Sequence, residues 1–197
     1  MYRSFIKRLL DLVLALALFP IFIISFFILG ALIKKEDRGP VFFIQKRRGY
    51  RGRIFEMLKF RTMSINAPDL READGSTLSS DHDPRVTKIG RILRKTSLDE
   101  LPQILNVLKG DMSFIGPRPT LSNQPLSEYT PIRHKRLRVR PGITGYAQAY
   151  YRNSISAEEK FEKDAYYVDH ASALLDLRIF LQTIKAVLMR KDIYRDS

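Results

Sequence analysis

The sequence contains no cysteine and no tryptophan, and it has only three histidines among its 197 residues. Without cysteine the chain has no disulfide, no thiolate zinc site and no cysteine nucleophile, which fits a reducing compartment or the cytoplasmic face of a membrane. His82, His134 and His170 are far apart in the sequence, so their spacing does not indicate a histidine metal centre. Metal sites built from oxygen ligands stay open.

Acidic residues are also scarce relative to basic ones. The chain has 21 Asp and Glu against 34 Lys and Arg, a formal net charge of +13. Such a balance favours anionic partners, namely phospholipid, nucleic acid or a phosphorylated substrate, and charge alone does not choose among them. The length is typical of one domain with short appendages.

The apolar residues are concentrated near the N-terminus. Residues Leu12 to Ile33 include no charged side chain, and a helix of this length spans roughly 33 Å, enough to cross a bilayer core. A cleaved signal peptide is the competing interpretation, because Ala15-Leu16-Ala17 imitates a cleavage site. Cleavage there would leave an apolar new terminus, so we predict a retained membrane segment.

Pro20 and the flanking charges bear on the course of this segment. Proline removes a backbone donor and clashes with the carbonyl of Leu16, which predicts a kink. Basic residues lie on both sides of the run, and the positive-inside tendency then favours both ends in the cytoplasm. A re-entrant hairpin meets both conditions, but a kinked single-pass helix stays open. We predict a membrane hairpin over residues 1–35 and a cytoplasmic membrane-surface domain over residues 36–197.

The rest of the chain predicts an α+β fold that is mostly helical. Val41–Ile44 and Ile54–Phe60 read as strands of a small hairpin, with Gly49 and Gly52 in the turn. Helical periodicity places an apolar stripe along residues 174–188. Such a stripe usually packs on a protein core, but the neighbouring membrane segment favours a helix in the headgroup plane.

The chemical signal lies between Ser97 and Arg118. Ser97-Leu98-Asp99-Glu100 matches a capping box, with Pro102 in the first turn of the helix, so Asp99 and Glu100 would lie at a helix N-terminus. Acids there usually have a capping role. Two adjacent acids point in different directions, however, so one could act as a nucleophile while the other holds a divalent cation.

Two arginines are restrained by neighbouring prolines. Arg118 lies between Pro117 and Pro119, and Arg140 precedes Pro141. A restrained arginine loses little entropy on gripping a phosphate, although a rigid surface turn is the plainer interpretation. The glycines after Pro141 would let the backbone approach a ligand.

Taken together, these motifs resemble the bacterial sugar transferase superfamily, in the small form of monotopic phosphoglycosyl transferase. The resemblance covers nearly the whole chain. It rests on the membrane segment, on 59–63 (Lys-Phe-Arg-Thr-Met), 97–103, 106–113 (Asn-Val-Leu-Lys-Gly-Asp-Met-Ser), 116–119 (Gly-Pro-Arg-Pro) and 140–145.

The resemblance implies an N-terminal re-entrant membrane helix broken at Pro20, both termini on the cytoplasmic face of the bacterial inner membrane, and amphipathic interfacial helices. It implies transfer of a phosphosugar from a UDP-sugar to a polyprenol phosphate of the undecaprenyl type, with release of UMP. The sequence gives no oligomeric state.

The same resemblance implies residue roles. Asp99 would be the nucleophile that forms an aspartyl-phosphosugar, and Glu100 its partner near Mg²⁺, so that both residues are candidate metal ligands. Arg118 and Arg140 would hold phosphates or nucleotide. Further motif residues are expected only around the site: Lys59, Arg152, Asn153 and Asp164.

The sequence departs from the family pattern at two places. Phe19-Pro20 stands where the family usually has Ser-Pro, so no serine hydroxyl can satisfy the freed carbonyls. Residues 150–153 (Tyr-Tyr-Arg-Asn) replace a stretch that more often ends in Gly-Arg-Asn, which bears on sugar specificity. The stretch from Arg152 to Asp164 looks like enzymes that start glycoconjugates with N-acetylated or 6-deoxy amino sugars.

A function of another class stays as the alternative. A membrane-tethered basic module that binds nucleic acid or other anionic ligands would explain the charge. It would not explain why restrained arginines accompany an Asp-Glu pair, and the sequence has no recognisable nucleic-acid motif. We therefore expect no nucleic-acid partner and expect membrane phospholipid as the surface on which the enzyme works.

Overall fold

A computed structural model describes residues 2–68, 70, 83–152 and 154–189. The fold is mostly helical with a small sheet, as predicted. After a wide helical turn at Tyr2–Ile6, the elements follow in chain order. The helices are α1 (Lys7–Asp37), α2 (Lys88–Thr96), α3 (Gln103–Lys109), α4 (Pro131–Arg136), α5 (Tyr146–Tyr150), α6 (Ala157–His170) and α7 (Ala173–Leu188). The strands are β1 (Phe42–Arg48), β2 (Ile54–Phe60), β3 (Ser113–Ile115), β4 (Thr120–Leu121) and β5 (Gly142–Thr144).

The strands form two small sheets. β1 and β2 pair antiparallel with Phe43 opposite Lys59, which confirms the predicted hairpin, and β4 joins the other edge of β1. The hairpin turn includes Gly52 at φ 77°, a left-handed conformation that glycine adopts at little cost. β3 and β5 form a separate parallel pair. The first sheet carries Lys59, and the second leads into the segment that carries Arg118.

Helix α1 contains the apolar run. Among the described residues, it is the one helix long and apolar enough to cross a membrane. The predicted break at Pro20 is not confirmed, because α1 continues without interruption from Lys7 to Asp37. A proline removes one backbone hydrogen bond and can bend a helix while the flanking hydrogen bonds maintain it. The re-entrant course of the segment stays a prediction.

Both ends of α1, and its middle, contact the rest of the chain. Near the start, Lys7 Nζ lies 2.6 Å from Asp176 of α7. In the middle, the ring of Phe22 stacks on that of Phe60, with centroids 6.5 Å apart. At the end, Asp37 forms an ion pair with Arg61. One side of α1 is therefore anchored along its whole length to the domain that follows.

The other side of α1 and one side of α7 expose apolar side chains. The predicted stripe on α7 does not pack on the core, because the buried positions of this helix are Asp176, Ile179 and Ala186. Exposed apolar side chains on α7 include Leu174, Leu177, Leu181, Ile184 and Leu188, and those on α1 include Leu9, Val13, Leu16, Ile24 and Phe27. Two helices thus present apolar surface that no described residue covers.

One hydrophobic core joins α1 to the elements around the carboxylates. Its buried members come from α1, β2, α2 and α3: Ala15, Phe22, Ile33, Phe55, Met57, Phe60, Leu93, Ile104 and Val107, with Met112 after α3. A second cluster joins β3, α5, α6 and α7 through Ile115, Ala149, Tyr167 and Ile179. Lys59 therefore belongs to a strand that packs in the first core. Arg118 follows β3, the strand that packs in the second cluster.

Candidate active site

Asp99 and Glu100 lie in a short turn between two helices. Ser97 ends α2 in the left-handed conformation, with φ 58°, and its side chain makes no capping hydrogen bond. Leu98–Glu100 then form one turn of 3-10 helix, and α3 begins at Gln103 after Pro102. The predicted capping box is therefore wrong. The chain uses Ser97 to stop the preceding helix, so its hydroxyl is not placed to cap the next one.

Lys59 of β2 lies beside both carboxylates. Its Nζ is 2.6 Å from Glu100 Oε1 and 3.8 Å from Asp99 Oδ2. The side chains of Lys59, Asp99 and Glu100 are 16, 15 and 21 % exposed, so the charges are only partly hydrated. In such surroundings an ion pair is stronger than in water. The ammonium group of Lys59 therefore lies beside two adjacent carboxylates.

The environment moves the pKa values of the two carboxyl groups in opposite directions. Burial raises the pKa of Asp99 to about 6, against the lowering effect of Lys59, and the nearby charge of Glu100 raises it further. Burial also acts to raise the pKa of Glu100, but Lys59, Arg118 and a hydrogen bond with Gln103 outweigh it and lower the pKa. Two carboxyl groups with different environments can take different roles. A carboxyl with the pKa of Asp99 is mostly ionised at neutral pH.

Arg118 projects into the same cleft from the segment between β3 and β4. Its Nη1 lies 3.8 Å from Glu100 Oε1, and half of its side chain is exposed. The cleft is lined by Arg47, Met57, Lys59, Glu100, Gln103, Arg118, Pro119, Gly142 and Ile143. Several cations and one exposed guanidinium around a carboxylate pair suit a ligand that carries phosphates.

The two glycine-proline motifs pack against each other. A Cβ added to Gly142 would lie 2.1 Å from the nitrogen of Gly116, and one added to Gly116 would lie 2.4 Å from the carbonyl oxygen of Arg140. The sequence-based expectation for Gly142 is that it lets the backbone approach a ligand. In the structure the two glycines let β5 approach β3, so their role at these contacts is to bring the two motifs together.

Two predicted binding residues point elsewhere. Arg140 donates from Nε to the carbonyl of Gly110 at 2.9 Å, and its guanidinium lies 5.5 Å from the ring centre of Tyr50. Asp164 is buried in α6 and pairs with Arg136 behind the Arg118 backbone. Neither residue lines the cleft around Glu100, because each is already engaged with protein partners.

The remaining predicted residues add less to the site. Arg152 follows α5 in the left-handed conformation, with φ 42°, and its backbone N–H donates to Ala147. Asn153 lies outside the described residues. Pro20 lies within α1. The structure therefore brings together Lys59, Asp99, Glu100 and Arg118 from the predicted set.

Sequence reasoning missed two residues beside the carboxylates. Arg94, in the last turn of α2, acts electrostatically on Asp99 and donates from Nε to Thr62 Oγ1 at 3.0 Å. Gln103 is buried, and its side chain helps to lower the pKa of Glu100. Arg94 is one of many basic residues, so composition gave no signal for it. Gln103 could have been found, because it belongs to the 97–103 motif.

The donor set at the cleft fits a magnesium ion. Among the described residues there is no cluster of three or more His, Cys, Asp and Glu side chains that could hold a metal. Mg²⁺ is often bound by one or two carboxylates with substrate phosphates and water completing its shell. Asp99 and Glu100 can supply the two carboxylates, and a diphosphate would supply the rest.

The sequence profile of the bacterial sugar transferases matches residues 2–190. The chain is 45% identical over 192 residues to an uncharacterized sugar transferase, EpsL, of Bacillus subtilis, covering 98% of this chain and 92% of that protein. It is 40% identical over 200 residues to the exopolysaccharide production protein ExoY of Rhizobium meliloti, covering 95% of this chain and 88% of that protein.

A further relative has a name that states its reaction. The chain is 41% identical over 191 residues to the UDP-N-acetylgalactosamine-undecaprenyl-phosphate N-acetylgalactosaminephosphotransferase of Aeromonas hydrophila. The match covers 94% of this chain but only 44% of that protein. The chain thus corresponds to less than half the length of that relative.

Proposed function

Because this chain belongs to the bacterial sugar transferase family and is a phosphoglycosyl transferase, we propose that it moves a phosphosugar from a UDP-sugar to undecaprenyl phosphate and releases UMP. The observation that carries the proposal is the cleft in which Lys59, Arg118 and the pair Asp99-Glu100 meet. A diphosphate and a lipid phosphate are both anionic, so basic side chains beside the carboxylates are needed before an anion can attack phosphorus.

We propose that the transfer has two displacements. In the first, a carboxylate oxygen of Asp99 bonds to the phosphorus next to the sugar, and the bond between that phosphorus and the bridging oxygen breaks. The bridging oxygen leaves with its electron pair on UMP. In the second, a phosphate oxygen of the lipid bonds to the same phosphorus, and Asp99 leaves as a carboxylate. The raised pKa of Asp99 supports this assignment, because it marks a carboxylate that burial has partly stripped of water.

The other groups of the cleft hold charge in place. Lys59 keeps Glu100 ionised through a 2.6 Å contact and lies close enough to Asp99 to orient it. Arg118 offers a planar guanidinium to phosphate oxygens as charge shifts to the leaving UMP. Mg²⁺, bound by Asp99 and Glu100, would neutralise the diphosphate.

The product identity tests this proposal. Purified protein with Mg²⁺, undecaprenyl phosphate and a panel of UDP-sugars is expected to release UMP with one of them. Release of UDP would indicate transfer of the sugar without its phosphate and would contradict the proposal. We propose an N-acetylated or 6-deoxy amino sugar as the donor, and preference for a plain hexose in the same panel would contradict that choice.

We also propose that both ends of α1 face the cytoplasm. The support is that both ends contact one globular domain through Lys7–Asp176 and Asp37–Arg61, while the opposite side of α1 is apolar. The native chain has no cysteine, so Arg3→Cys and Lys35→Cys can each be probed with an impermeant maleimide. Labelling of both variants only after cell lysis is expected. Labelling of one end from outside would show a full crossing.

A further inference from the structure

The backbone that carries Arg118 is hydrogen-bonded to its surroundings along its length. The N–H of Gly116 donates to Thr144 O at 2.9 Å, and the N–H of Gly142 donates to Pro117 O at 3.0 Å. Arg136 Nη2 donates to the carbonyl of Arg118 at 2.7 Å. The backbone N–H of Arg118 also interacts with the carboxylate of Asp164. The exposed guanidinium of Arg118 thus extends from a fixed point.

Arg136 and Asp164 form a buried ion pair directly behind that point. Arg136 Nη2 is 2.9 Å from Asp164 Oδ2, and the two side chains are 5 and 4 % exposed. The guanidinium also lies 4.5 Å from the ring centre of Phe161. Because Arg136 is in α4 and Asp164 in α6, the pair joins these two helices to both backbone groups of Arg118.

We propose that the Arg136–Asp164 pair is a positioning device for Arg118: it fixes the backbone from which the guanidinium reaches the phosphates of the donor, and it binds no ligand itself. This inference rests on the proposed function for the identity of the ligand. It replaces the sequence-based role of Asp164 around the substrate.

The energetics of buried charge favour this role over simple stabilisation. Removing two charges from water is costly, and a well-packed apolar pair of similar volume is often as stabilising as a buried ion pair. What an apolar pair cannot supply is the directional hydrogen bond to the carbonyl of Arg118 and a carboxylate beside its N–H. Misplacement of a substrate-holding group by about 1 Å can cost on the order of a hundredfold in rate.

The decisive variant is the double substitution Arg136→Met with Asp164→Leu, which removes the hydrogen bonds and leaves no unpaired buried charge. The matched control is Arg133→Met. Arg133 lies on the same helix, 4.6 Å from the same Phe161 ring, but it hydrogen-bonds to Gln124 and not to Arg118.

Two readouts are taken on full-length protein in detergent or nanodiscs. Hydrogen exchange of the peptide that spans residues 113–120 reports the backbone without reference to activity. Steady-state UMP release reports catalysis. For the double variant we expect faster exchange in this peptide and a kcat/KM lower by roughly 10- to 100-fold. The Arg133 control should change neither.

A double-mutant cycle asks whether the effect passes through Arg118. In an Arg118→Ala background the apolar pair should lower kcat/KM by less than about twofold, because there is no guanidinium left to misplace. If the double substitution lowers kcat/KM in the Arg118→Ala background as much as in the native background, the proposal is overturned. It is also overturned if the double variant shows native exchange and native activity. If the double variant does not fold, the same two readouts are taken on Arg136→Lys. The lysine ammonium keeps the positive charge but lacks the guanidinium fork that reaches both Asp164 and Arg118.

These outcomes separate this inference from the proposed function. If native protein transfers no phosphosugar, the proposed function fails, and the exchange measurement still decides whether the pair orders the backbone. If native protein is active and the exchange of the double variant is unchanged, the positioning role alone fails.

Discussion

Asn106 is predicted to be the main polar link between α3 and the strand that carries Lys59. Its Oδ1 accepts from the N–H of Leu58 at 3.0 Å, and its Nδ2 donates to the carbonyl of Glu56 at 2.7 Å. The side chain is 2 % exposed. β2 is an edge strand of its sheet, so no strand within the described residues pairs with these two backbone groups on that side. Asn106 therefore satisfies two part-buried backbone groups at once.

Asn106→Ala would leave both groups of β2 without a partner. A buried unsatisfied group costs about 1–3 kcal/mol, and because these two groups are part-buried the variant should be destabilised by about 1–3 kcal/mol in total. For a domain of this size that corresponds to a melting temperature lower by roughly 2–10 °C. Thermal unfolding followed by circular dichroism in one detergent measures it.

Asn106→Leu separates hydrogen bonding from volume. Leucine fills the space of asparagine but offers nothing to Leu58 or Glu56. If the hydrogen bonds matter, the leucine variant should be about as unstable as the alanine variant. A leucine variant as stable as the native protein would show that the two hydrogen bonds contribute nothing and would leave only packing as the role of Asn106.

Three further predictions concern the cleft. Arg118→Lys keeps the charge but loses the planar fork, so it should cost about 1.5–3 kcal/mol of transition-state stabilisation, or roughly ten- to hundredfold in kcat/KM. Full activity with a lower melting temperature would mean that Arg118 has a structural role. Glu100→Gln should raise the Mg²⁺ concentration needed for half-maximal UMP release, and an unchanged Mg²⁺ response would remove Glu100 from the candidate ligands. Gly142→Ala should destabilise the fold by about 1–3 kcal/mol and reduce activity, because the added Cβ would collide with the backbone of Gly116. A native melting temperature and native kinetics would show that β3 and β5 can move apart at no cost.

Local patterns in the sequence predicted local structure well. The β1–β2 hairpin was predicted because two short, mainly apolar segments with glycines between them can be recognised over a few positions. The long apolar helix was predicted for the same reason. Ser97 was misread, because the same residue type can stop one helix or begin the next, and only the path of α2 decides between the two.

The candidate site was predicted in part. The motifs that carry Lys59, Asp99, Glu100 and Arg118 do converge, although 59 positions separate the first from the last. Spacing could not show that Arg140 turns toward Gly110 or that Asp164 faces Arg136, because both contacts form between distant segments.

The exposed stripe of α7 shows a similar limit. Periodicity predicts an apolar face but not what covers it. The usual expectation, packing on a core, is wrong for Leu177 and Leu181, which stay exposed while Asp176 turns inward to Tyr167 and Lys7. A buried polar network decided which side of the helix faces the domain. The apolar side stays exposed, and we propose that it faces the membrane surface.

The most direct test of the proposed chemistry is to look for the covalent intermediate on Asp99. Native protein is mixed with Mg²⁺ and the preferred UDP-sugar, labelled in the phosphate next to the sugar, without any lipid acceptor. We expect release of about one equivalent of UMP, a labelled protein whose modified peptide includes Asp99, and loss of the label as lipid-linked product when undecaprenyl phosphate is added. Asp99→Asn should give neither UMP nor label. UMP release that begins only when the lipid is added, with no label on the protein, would contradict the account and indicate a direct displacement.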